Sequence, residues 1–210
     1  MDPPPPDLAP SARARTAAKR IASRAALAIW FAAMLAIGVS LLVRHSVALP
    51  RPTADAALAR SMSALRSPLD VDRWMVVHVL YGECRCSQRI AEHLTSSPRP
   101  VDVVEYVLLV GADAALEARL TARGFRTTVV ASSELAERYH VVAAPLLVVV
   151  APDGGVRYAG GYTTRKQGPD PQDLALVATA RAEGWTDALP IFGCAVSEKL
   201  QRELNPLGLP

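Results

Sequence analysis

The stretch that decides the fold runs from residue 139 to residue 162: YHVVAAPLLVVVAPDGGVRYAGGY. Pro145 opens a leucine and valine run through residue 150, the pattern of a strand buried on both faces. A proline at a strand start removes no interior ladder hydrogen bond. Asp153-Gly154-Gly155 is a hairpin signal, because glycine takes the positive φ that tight strand connections need. Residues 156–158 begin the returning strand.

Upstream, residues 74–81 (WMVVHVLY), 101–110 (VDVVEYVLLV) and 125–130 read as three more strands, β-branched and mostly apolar. Helices are expected after Cys84-Arg85-Cys86-Ser87, with Ile90, Ala91 and Leu94 on one face, and over 114–123, 133–139, 171–182 and 195–204. Alternating strands and helices predict an α/β domain with a central mixed sheet flanked by helices. The last hairpin supplies the antiparallel edge, and about 140 residues are enough to bury a core. No internal repeat is visible.

Half of the 210 residues are hydrophobic and 20% are charged, a balance that excludes a disordered chain. The net charge of +3 sits wholly in residues 1–24, which hold Arg13, Arg15, Lys19, Arg20 and Arg24 against Asp2 and Asp7. The remainder is neutral, so nothing points to a nucleic-acid partner. Residues 25–43 (AALAIWFAAMLAIGVSLLV) carry no charge. As a helix they span roughly 28 Å, close to the hydrocarbon thickness of a bilayer. This run is longer than the apolar core of a signal peptide, so a retained anchor is favoured over cleavage after Ser46-Val47-Ala48. The basic flank places 1–24 in the cytoplasm and the rest outside it. The expected organisation is a disordered cytoplasmic tail (1–24), a transmembrane helix (25–43), a stalk with a short helix (44–70), the α/β domain (71–184) and a C-terminal extension holding Cys194 and a short helix (185–210). That predicts a single-pass protein of the inner (cytoplasmic) membrane, contacting the lipid bilayer through residues 25–43, with its C-terminal domain in the periplasm or extracytoplasmic space.

Two blocks carry a resemblance: the quoted stretch 139–162, and the triplet Phe192-Gly193-Cys194 together with Cys84-Arg85-Cys86-Ser87. Over residues 70–200 the chain resembles membrane-anchored bacterial thioredoxin-like proteins of the TlpA/ResA type, in a branch with C-x-C-S after the first strand and a late F-G-C. The resemblance implies a thioredoxin-like fold, a cis Ala144–Pro145 bond, a substrate-binding edge at Ala144 and Pro145, and thiol–disulfide exchange with protein partners. It implies no cofactor. The sequence departs from the Trp-Cys-x-x-Cys pattern of thioredoxins: Glu83 replaces the tryptophan and Ser87 stands where a second cysteine would follow Cys84, or, in the alternative register, Glu83 and Cys86 take the two cysteine places.

The three cysteines are the catalytic candidates. A helix N-terminus and Arg85 beside it both favour the Cys84 thiolate. Cys86, Ile90 and Leu94 are spaced i, i+4, i+8, which turns Cys86 toward the core and Cys84 outward. On that reading Cys84 attacks and Cys86 resolves. Cys194, also before a helix, is a second resolving candidate able to pair with either. His78, six residues before Cys84, is the candidate for proton handling, against the plainer reading of a hydrogen-bonded core histidine. His93 is expected in solvent. Two alternatives stand beside the oxidoreductase: thiolate binding of Cu(I) by the cysteines, and a non-catalytic interaction module whose cysteines are structural.

Overall fold

The computed structural model describes residues 12–166, 168, 170–184 and 186–205. The chain divides between Val47 and Ala48 into two compact units. The first is one helix, α1 (Ala12–Ser46). Within it residues 19–39 are long and apolar enough to cross a membrane, 21 residues with a mean hydropathy of 1.8 and none buried. The expected disordered tail is helical from Ala12 onward. Alanine, arginine and lysine, which dominate residues 12–20, are among the strongest helix formers. The expectation for residues 1–11 lies outside the described residues.

The second unit opens with α2 (Ala56–Ser63), capped by Asp55, whose carboxylate accepts from the backbone N–H of Ala57 (2.9 Å) and Leu58 (3.0 Å). This segment is no stalk. Leu58 and Met62, one turn apart, are 1% and 0% exposed in the main core. Fully burying a side chain of that size contributes about 1.5–3 kcal/mol, which holds the segment down. Leu49 also pairs with Ile191 through a backbone bond of 2.8 Å, and the Arg66 guanidinium donates to the carbonyl of Ala151 at 2.7 Å.

There follow β1 (Trp74–Tyr81), α3 (Arg85–Ser96), β2 (Val103–Val110), α4 (Ala114–Ala122), β3 (Arg126–Val130), α5 (Ser132–Tyr139), β4 (Ala143–Ala144), β5 (Leu146–Val150), β6 (Val156–Gly160), α6 (Asp173–Glu183), β7 (Cys194–Ala195) and α7 (Glu198–Leu204). The main sheet has the order β3-β2-β1-β5-β6. Its β1, β2 and β3 are parallel, while β5 runs antiparallel to β1 and β6 antiparallel to β5. The side-chain period of two splits β1 and β5 between two cores. Met75, Val77, Val79, Leu146 and Val148 face α2, α5 and α7. Val76, Leu80, Leu147 and Val149 face α3, α4 and α6. This is the mixed α/β sheet with helices on both faces expected from the alternation of elements, in the thioredoxin-like arrangement that the resemblance implied, with Ala144–Pro145 in the cis form.

Candidate functional site

Strand β1 delivers the chain to the start of α3, where Cys84 is the N-cap with extended backbone (φ −92°, ψ 118°). The turn is fixed by the backbone N–H of Cys84 to the Tyr81 carbonyl (3.0 Å) and the Gln88 side-chain amide to the Gly82 carbonyl (3.0 Å). Ser87 is fully buried, and its hydroxyl accepts from the Tyr81 N–H at 3.0 Å. This serine therefore ties the first helical turn to the strand end.

The cysteines face opposite to the sequence expectation. Cys84 is 1% exposed, and Cys86 is half-buried with its thiol free. Cys86 lies within α3, one position off the residue whose side chain the first turn buries. The buried stripe of α3 is Ser87, Ile90, Ala91 and Leu94, which leaves Cys86 at its margin. Cys84, outside the helix proper, turns inward because its backbone is extended. Cys86 opens instead onto a 310 Å³ cavity shared with Arg85, Arg89, Ile90, Pro145 and Phe192.

Cys84 is joined by a disulfide to Cys194, 110 positions away in sequence, with a Cα–Cα distance of 6.1 Å. This settles in one direction the pairing that the sequence left open. The partner arrives on a strap, residues 188–197, that is woven into the domain and is not a separate extension. Gly161 donates its N–H to the Leu189 carbonyl at 2.9 Å, Ile191 is fully buried, and Val196 donates to the Val142 carbonyl at 2.7 Å. Strand β7 pairs antiparallel with β4, Ala144 opposite Cys194 and Ala143 opposite Ala195. The edge beside Pro145, expected to receive a partner's strand, is thus occupied by the chain itself. Gly193 is what allows so close a passage: a Cβ there would lie 1.9 Å from the Ala144 carbonyl oxygen and 2.5 Å from Cδ of Pro145.

Beneath the site runs a buried polar chain that sequence reading largely missed. His78, 0% exposed, has Nδ1 2.8 Å from the Tyr162 hydroxyl and Nε2 3.2 Å from Glu105. The Arg99 guanidinium donates to Glu105 through Nε (3.0 Å) and to Asp173 (2.7 Å). Asp173 in turn holds Nε2 of His93 at 2.8 Å, so His93 is not a free solvent residue. Burial pushes the Glu105 carboxyl up, but the hydrogen bonds from Arg99 and His78 outweigh it and hold it down at about 2. Burial raises the Tyr162 hydroxyl well above its ordinary range. Both ring nitrogens of His78 are therefore committed, and Tyr162, which borders the Cys86 cavity, stands between the ring and that cavity. The available signal was Glu105 itself, a lone acid inside the apolar run 101–110.

Among the described residues, no three His, Cys, Asp or Glu side chains are grouped so as to hold a metal ion. In this form two of the three thiols are tied to each other and are not free as ligands.

The fold and the sulfur pair define a thioredoxin-like domain with a disulfide at the head of α3. No family model matches the sequence, and no curated protein matches it. Among solved structures, an uncharacterized conserved protein from Geobacillus kaustophilus aligns at 17% identity and a TM-score of 0.49, over 72% of this chain and 90% of that one. A hypothetical protein from Sinorhizobium meliloti 1021 aligns at 18% identity and a TM-score of 0.48, over 72% and 96%. A secreted disulfide oxidoreductase from Mycobacterium tuberculosis, homologous to E. coli DsbE, aligns at 18% identity and a TM-score of 0.37, over 53% and 82%. At such identities the chemistry of the site rests on this chain's own residues.

Proposed function

We propose that this protein is a membrane-anchored thiol–disulfide oxidoreductase that exchanges electrons with protein thiols through Cys84 and Cys194. The observation that carries the reading is the disulfide between the N-cap of α3 and the strand beside cis Pro145. A helix N-terminus stabilises the thiolate that exchange requires. Cys194, and not Cys86, is the second sulfur of the exchanging pair, because it is the residue bonded to Cys84. Helix α1 is the anchor, and its basic N-terminal flank favours an extracytoplasmic position for the domain that starts at Ala48.

The test is a redox equilibrium of the protein with reduced and oxidised glutathione, followed by thiol alkylation and intact mass. The expected outcome is a reversible two-electron transition that Cys84→Ser and Cys194→Ser each abolish. A bond that stays closed across the whole glutathione range is a structural staple, and that result would overturn the reading.

A further inference from the structure

We infer that partner thiols enter the disulfide at Cys194, on the strap, and that Cys84 is the sulfur that leaves. This rests on the exchange reading above and adds to it which sulfur meets the partner. The polarity is opposite to the one drawn from sequence, in which Cys84 makes first contact.

Two independent features point the same way. The first is access, since exchange needs the attacking thiolate to touch the sulfur it attacks. Cys84 is 1% exposed. Cys194 is half-buried and borders an open groove with Ala195, Glu198, Gln201, Arg202 and Leu204. The second is the leaving group, since the sulfur that carries charge more easily departs faster. Cys84 stands at the head of a 12-residue helix and makes no capping hydrogen bond in the disulfide. Released as a thiolate, it meets the unpaired N–H groups of the first turn and the positive end of the helix dipole. Burial opposes that charge, and the N–H groups supply the solvation that water does not. Cys194 lies on a two-residue strand, where the backbone offers only a small net dipole.

The step balances as follows. A partner thiolate attacks Sγ of Cys194, a partner–Cys194 disulfide forms, the Cys84–Cys194 bond breaks, and its electron pair stays on Cys84. The partner's second thiolate then attacks its own sulfur in the mixed disulfide and Cys194 leaves. The partner loses two electrons and two protons, and Cys84 and Cys194 gain them as thiols. Cys86 opens on a different cavity and takes no part.

The experiment uses full-length protein in its oxidised form with Cys86→Ser, so that no third thiol can reshuffle the adduct. It is pulsed with reduced glutathione, quenched in acid and alkylated, and the glutathione adduct is located by peptide mass spectrometry. The expected result is an early adduct on the Cys194 peptide in roughly tenfold or greater excess over the Cys84 peptide, with Cys84 recovered as a free thiol. An early adduct mainly on Cys84, or equal on both, overturns the polarity while leaving exchange intact. A bond that glutathione does not attack at either sulfur overturns the exchange reading and this inference with it.

Discussion

Gly193→Ala separates a strap that merely decorates the domain from one that redox chemistry releases. The added Cβ would fall 1.9 Å from the Ala144 carbonyl oxygen and 2.7 Å from its carbon, both backbone atoms that cannot rotate away. To bring the first pair to ordinary contact the strap has to retreat by about 1.5 Å. A shift of that size works against the Val196–Val142 backbone bond and the β4·β7 pairing. Overpacking of this kind costs about 1–3 kcal/mol. The penalty applies only while the strap is docked. If reduction frees it, the strain raises the free energy of the oxidised form alone, and the disulfide of the variant is easier to reduce by about 5–150-fold in the glutathione equilibrium constant. The assay is that equilibrium for wild type and variant, paired with urea unfolding of the reduced proteins. A variant that folds, loses stability equally in both redox forms, and keeps the wild-type equilibrium constant within about twofold would refute the release of the strap on reduction.

Four other outcomes are expected. The disulfide closes a loop with a sequence separation of 110; opening it by reduction lowers unfolding stability by as much as about 4.7 kcal/mol, read as a drop in urea midpoint, and an unchanged midpoint would contradict this. Glu105, held at about 2 against an ordinary 4.5, contributes stability above pH 4.5 that is lost as the pH falls toward 2. That loss is on the order of 3 kcal/mol; Glu105→Gln should flatten the acid limb of the stability profile, and an identical limb would exclude this carboxylate as its source. Arg99→Ala strands the buried Glu105 and Asp173 and is expected to cost about 3–5 kcal/mol by denaturant unfolding. A chain beginning at Ala48 should remain in the supernatant while the full chain pellets with membranes, and full-length protein soluble without detergent would remove α1 as an anchor.

The five strands of the main sheet were legible because each carries its own signal. Residues 74–81 are a continuous β-branched run, and the Pro145 to Tyr158 stretch has a proline start and a glycine turn, so local pattern and tertiary role agree. What stayed hidden is non-local. The burial of α2 depends on a face of the sheet formed from residues far along the chain. The inward turn of Cys84 depends on a single extended N-cap residue that helical periodicity overrides on paper. The C-terminal residues read as an extension because their closest backbone passages run through glycines. Gly161 and Gly193 carry no apolar pattern, yet they let backbone lie against backbone. The His78–Glu105–Arg99–Asp173 chain was half visible, since one acid in a buried strand demands a cation but does not say which.

The antiparallel pairing of Ala143–Ala144 with Cys194–Ala195 has a further consequence. A peptide backbone with free N–H and C=O groups beside apolar side chains adheres to other chains. While the bond is closed that liability is masked from within the molecule. A strap released by reduction would bring Ile191 and Val196 into water and bare a short adhesive margin. On that premise the reduced form is the one more inclined to associate, with its partner or with itself.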